Sequence, residues 1–121
     1  MNMMTSVRKK GDITIVDISG KIALGEESAT LRNTVMDLLG EGNTKILLNL
    51  ADVDYMDSSG LGALVGAAAS ARKQGGEVKL MKLSSKVNNL LQITKLYTVF
   101  DIAESEAAAV KSFGHSSVAK A

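Results

Sequence analysis

A chain of 121 residues, 45% hydrophobic and 22% charged, has the size and balance of one globular domain, which excludes the disordered and membrane-spanning classes. Its 14 basic and 13 acidic residues leave a net charge of +1 and no basic footprint, so direct binding of DNA or RNA is not expected. Cysteine is absent, which removes disulfides and thiolate metal sites and is compatible with a reducing cytoplasm.

Met1 to Lys10 lacks the long apolar centre of a signal peptide, and Leu61 to Ala71 is too short to span a bilayer. A soluble cytoplasmic protein with no membrane insertion is expected. Met3–Arg8 and Ile13–Ser19 read as two strands of a hairpin, with Lys9, Lys10, Gly11 and Asp12 as its turn. From Glu26 to Leu39, Leu31, Val35, Leu38 and Leu39 recur at helical spacing, and Gly40 and Gly42 follow as stop signals. Lys45–Leu50 is a short, nearly continuous apolar run that suits a central strand covered on both faces.

The spacing predicts a second helix from about Gly60 to Lys73, striped by Leu61, Leu64, Val65 and Ala68 and ended by Gly75 and Gly76. Glu77–Met81 alternates as a strand, and Ser84 or Ser85 can cap a helix carrying Val87, Leu90, Leu91 and Thr94. A short strand near Val99–Ile102 and a helix from about Ser105 to Phe113 complete the series, leaving 114–121 as a flexible tail. Strands alternating with helices point to one α/β domain over residues 1–113, with a mostly parallel interior led by an antiparallel N-terminal hairpin.

The junction Tyr55-Met56-Asp57-Ser58-Ser59-Gly60-Leu61-Gly62 carries the most chemistry. Asp57, Ser58 and Ser59 can each accept hydrogen bonds from backbone amides that a helix start leaves unpaired, and helix capping alone would account for them. The helix that follows is dense in small residues, Gly60, Gly62, Ala63, Gly66, Ala67, Ala68 and Ala69, although each interior glycine costs roughly 1 kcal/mol. Either the domain's own sheet or a partner must come close to it.

These residues resemble the phosphorylation motif of anti-sigma factor antagonists of the STAS domain family. The likeness runs through Met56-Asp57-Ser58-Ser59-Gly60-Leu61-Gly62, takes in Asn49-Leu50 before it and Gly75-Gly76-Glu77 after it, and covers Val7 to Phe113. It implies a STAS-like α/β fold, a small mixed sheet with about four helices lying mainly on one side. It also implies that Ser58 accepts a phosphate from a kinase that doubles as the anti-sigma factor, and that a separate serine phosphatase removes it.

Partner binding would involve Asp57, which orients the loop, Ser59, Gly60, which lets backbones approach, and Leu61 as an apolar contact. The segment Gly20–Glu26 corresponds to a loop that meets the kinase in the resembling proteins. Relatives carry acidic or histidine side chains where this chain has Lys21, Ala23 and Leu24, so a different partner is open; Leu24 could equally be a helix-entry staple. The alternative on the same fold is an accessory module of a membrane transporter or a scaffold element of a stress-sensing complex.

Enzymatic readings fare worse. A serine nucleophile at Ser58 or Ser59 needs a base, and the single histidine, His115, falls in the expected tail. Asp52, Asp54 and Asp57 cluster in sequence as a magnesium or aspartyl-phosphate site would, but the first two read more simply as a solvated loop. No Gly-rich Lys-Ser/Thr phosphate loop occurs, so neither ATP nor another cofactor is expected. The apolar stripes are consumed by one core, and a monomer is expected.

Overall fold

Alternating hydrophobicity in short runs, broken by glycines, builds a five-stranded sheet in a computed structural model that describes residues 3–120, with side chains to residue 113. The strands are β1 (Met4–Lys10), β2 (Ile13–Ile22), β3 (Lys45–Met56), β4 (Glu77–Met81) and β5 (Ile102–Ala103), and their spatial order follows the chain. β1 and β2 form the antiparallel hairpin, with Gly11 at φ +63 in its turn; every later pairing is parallel. The helices are α1 (Glu26–Gly40), α2 (Ser58–Lys73), α3 (Ser85–Thr94) and α4 (Glu106–Lys120), with one 3-10 turn at Leu96–Thr98.

Residues of opposite parity on each central strand point to opposite faces, and the two faces are unequally covered. Val16, Ile18, Ile46, Leu48, Leu50, Val78 and Leu80 meet Leu31 and Val35 of α1, Leu64 and Ala67 of α2, and Val87 and Leu91 of α3 in the larger core. On the other face, among the described residues, Ile13, Ile15, Leu47 and Met81 are covered by Ala109 and Phe113 of α4, with Val110 and Ala103 packed beside them. Three helices therefore lie on one side and one on the other, in agreement with the expected mixed sheet. Arg8 ties α4 to the hairpin, bonding Asp17 at 2.7 Å and Glu106 at 2.6 Å.

Several boundaries move. β3 runs six residues past Leu50, so Asp52 and Asp54 stand exposed on a strand rather than in a loop; pairing with β2 sustains it after β4 has ended at Met81. The same pairing draws Gly20, Lys21 and Ile22 into β2, shortening the expected loop before α1. Val99 precedes β5, which is only two residues long because the 3-10 turn occupies the chain before it. α2 starts at Ser58 instead of Gly60, since Asp57 already caps it. The expected tail falls within the helical span of α4, but the side chains beyond residue 113, His115 among them, lie outside the described residues.

Candidate functional site

Because β2 and β3 are parallel neighbours that end together, Ile22 opposite Met56, their two exits toward helices lie side by side. One exit is Ala23–Gly25, leading to α1, and the other is Asp57, leading to α2. The carboxyl ends of parallel strands are where such sheets commonly place their ligand-facing loops. Contact between the exits starts with the Asp57 N–H, which donates to the Ile22 carbonyl at 3.4 Å. It is permitted by Gly60, where a Cβ would overlap the Ile22 carbonyl oxygen and lie 2.8 Å from Cγ of Met56.

Asp57 is extended at φ −103 and caps α2, its Oδ1 accepting from the Gly60 N–H at 3.0 Å. The same oxygen accepts from the Ser59 hydroxyl at 2.6 Å, while Oδ2 accepts from the Leu24 N–H across the gap at 3.0 Å. These donors, the Leu24 amide first, then the Ser59 hydroxyl and the Gly60 amide, stabilise the carboxylate and hold its pKa at about 2. A carboxyl lowered in the folded state stabilises the fold above its ordinary range near 4, and that contribution fades as the pH falls toward about 2.

Ser59 is half-buried and saturated: besides donating to Asp57, its Oγ accepts from the Gly25 N–H at 3.2 Å and lies 2.8 Å from the Ser28 Oγ. Ser58, one residue earlier and exposed at the first position of α2, has no hydrogen-bond partner for its hydroxyl among the described residues. Two adjacent serines of identical chemistry thus differ completely in availability. Leu24 stands beside them with φ +60 and 87% of its surface exposed, the most exposed large hydrophobic residue described, and Gly25 follows at φ +76.

The structure brings Asp57, Ser58, Ser59, Gly60 and Leu24 to one place, but it separates them by depth. Leu61 is 6% exposed and belongs to the main core, so it offers no apolar surface, a correction to its expected contact. Ala23 is likewise buried, at 3%. Gly60 serves the chain's own Ile22 and not an incoming backbone. Lys21 is exposed on β2, in register with Tyr55. Leu24 is no helix-entry staple, since it faces solvent.

Ser28 was not singled out by sequence reasoning, although it is 2% exposed and bonded to Ser59. Its signal was a polar residue in phase with the apolar stripe of Leu31 and Val35, three and seven positions on. Among the described residues no group of three or more His, Cys, Asp or Glu side chains could hold a metal ion. Nor, among them, is any helix long and apolar enough to cross a membrane.

Residues 4–109 match the STAS domain family. A Bacillus subtilis protein named anti-sigma-B factor antagonist is 34% identical over 111 residues, spanning 92% of this chain and 100% of its own length. A solved Thermotoga maritima structure, described as a candidate anti-sigma factor antagonist, superposes with a TM-score of 0.78 at 27% identity, over 89% of this chain and 92% of that one. The Bacillus cell fate determinant SpoIIAA, solved in its phosphorylated form, shares the fold with a TM-score of 0.70 at 18% identity, over 91% of this chain and 99% of that one.

Proposed function

From the premise that this chain belongs to the STAS domain family, we propose that it is an anti-sigma factor antagonist switched by phosphorylation of Ser58. Unmodified, it binds an anti-sigma factor serine kinase and frees a sigma factor; phosphorylated, it releases the kinase until a serine phosphatase restores the hydroxyl. The chain acts by binding in the cytoplasm and needs no cofactor, because any ATP sits on the kinase. A monomer suffices for such a cycle.

The contrast between the two serines supports this reading most directly. A kinase needs a hydroxyl it can reach and deprotonate, and Ser58 is exposed and unbonded, whereas the Ser59 proton is committed to a carboxylate 2.6 Å away. A phosphate on Ser59 would place a dianion against Asp57, with no proton left to bridge them. Incubation with kinase and ATP, followed by intact mass and peptide mapping, should find a single phosphate confined to Ser58 and none on the Ser58→Ala variant. Phosphate on Ser59, or no phosphate with an active kinase, would refute the assignment.

Leu24 supplies what a hydroxyl switch lacks, a strong apolar anchor. A non-glycine residue in the left-handed region costs about 1–2 kcal/mol; the Leu24 backbone offsets part of this through its N–H bond to Asp57, but its exposed side chain contributes nothing within the chain. Glycine or asparagine would supply the same amide with less strain, so the choice of an exposed leucine there points to a use outside the fold. Burying such a side chain on a partner is worth about 1.5–3 kcal/mol. Leu24→Asn, which tolerates the same backbone, should leave thermal stability unchanged or raised while weakening kinase binding about ten- to a hundredfold. Calorimetric titration and a melting curve on one preparation decide this; unchanged affinity would remove Leu24 from the interface.

A further inference from the structure

Leu24 and Ser58 sit on different turns, and nothing covalent close in sequence fixes one against the other. What joins them is a short chain of hydrogen bonds whose direction follows from proton counting. The Asp57 carboxylate, ionised at any physiological pH, can only accept. The Ser59 hydroxyl has one proton and spends it on Asp57 Oδ1. Its oxygen then accepts, from the Gly25 N–H at 3.2 Å and from Ser28 at 2.8 Å, so the Ser28 hydroxyl is the donor of that pair. The order is Ser28 to Ser59 to Asp57, with the Leu24 N–H closing on the other carboxylate oxygen at 3.0 Å.

Ser28 is the buried end of this chain, in the first turn of α1. It grips Ser59 from the far side of the Ala23–Gly25 turn, so the turn is held at both ends: the Leu24 amide by Asp57, and the helix that follows by Ser59. We propose that Ser28 is the positioning residue of the switch, its buried hydroxyl locking α1 to Ser59 and thereby presenting Leu24 and Ser58 to a partner as one surface. This rests on the reading that the partner engages both residues, but its structural half does not depend on any partner.

Removal of the Ser28 hydroxyl takes one hydrogen bond from Ser59 without touching Ser58, Leu24 or the Asp57 cap. In Ser28→Ala, hydrogen exchange at the Leu24 and Gly25 amides should accelerate about tenfold or more, while amides of the central strands keep their protection. The same acceleration should appear in Ser59→Ala, and the double variant should exchange no faster than Ser59→Ala alone, because both changes cut one chain. Additive effects, or unchanged exchange at Leu24 in Ser28→Ala, would overturn the proposal.

Kinase affinity supplies the functional half. Ser28→Ala should bind more weakly than the parent protein, and Ser28→Thr, which restores the hydroxyl, should recover both binding and slow exchange. Faster exchange with full kinase affinity would overturn the positioning role. Failure of the parent protein to bind any anti-sigma kinase, with the exchange coupling intact, would instead strike the functional reading. The two failures are therefore separable.

Discussion

Under the proposed switch, protein carrying phosphoserine at position 58 is expected to bind an anti-sigma factor kinase two to three orders of magnitude more weakly than unmodified protein. Phosphorylation adds about −1.5 to −2 charge at neutral pH. In the free protein this charge meets the positive end of the α2 dipole, worth roughly 0.3–1 kcal/mol, and repulsion from Asp57 opposes it. The fold should therefore change little. In a complex that buries the Ser58 hydroxyl as a neutral group, the dianion would arrive desolvated and unpaired, at a cost of about 3–5 kcal/mol. At about 1.4 kcal/mol per decade this gives the stated loss.

The Ser58→Asp variant carries a single charge on a shorter side chain and should fall between the two forms. Circular dichroism and melting temperature of the phosphorylated protein should stay close to those of the parent. Equal kinase affinity for all three forms, measured by calorimetry, would end the switch as described. A large structural change on phosphorylation would replace it with a different mechanism, in which the fold itself responds.

Gly60→Ala should be strongly destabilising, the most damaging single methyl around the Asp57 turn. The added Cβ would overlap a backbone carbonyl, that of Ile22, and backbone cannot rotate aside as a flexible side chain can. Overpacking of this kind costs about 3 kcal/mol, and a domain of this size would lose roughly 10–20 °C in Tm. It would also pry apart the two exits that Asp57 joins to Leu24. Gly62→Ala, two residues on, is the matched control, since its Cβ would meet nothing within 4 Å. That change should stabilise the protein by about 1 kcal/mol through helix propensity alone. Denaturant unfolding of the pair would show opposite signs; equal losses would mean that helix interior, and not the contact with Ile22, sets the cost.

Gly62 and Gly60 also show why the density of small residues on α2 was ambiguous in the sequence. Both are glycines in one helical turn, yet Gly60 is consumed by the chain's own β2 while Gly62 faces open space. Composition lists them identically because it does not know which way a helix is turned. The same blindness applied to Leu61 and Leu24. Leu61 lies within the motif and turns inward to the core, whereas Leu24, far from the motif in sequence, turns outward beside Ser58.

Strand lengths failed for a related reason. The apolar run ending at Leu50 marks only the part of β3 covered on both faces; beyond it Asp52, Asp54 and Tyr55 remain in the strand because β2 supplies hydrogen bonds, which no hydropathy pattern records. β5 shows the converse, a stretch with strand-like residues at Val99 and Phe100 diverted by the 3-10 turn that follows α3.

Periodicity and caps act through neighbours in the chain, and they were sufficient for the α/β order, the hairpin, the four helices and the serine at a helix start. Depth and direction depend on which distant segments meet. Only the tertiary structure made Ser58 free and Ser59 bound, put Leu24 on the surface and Leu61 beneath it, and recruited Ser28 from α1. The physical cause is the parallel pairing of β2 with β3, which ends both strands together and lets one carboxylate, Asp57, hold two turns at once.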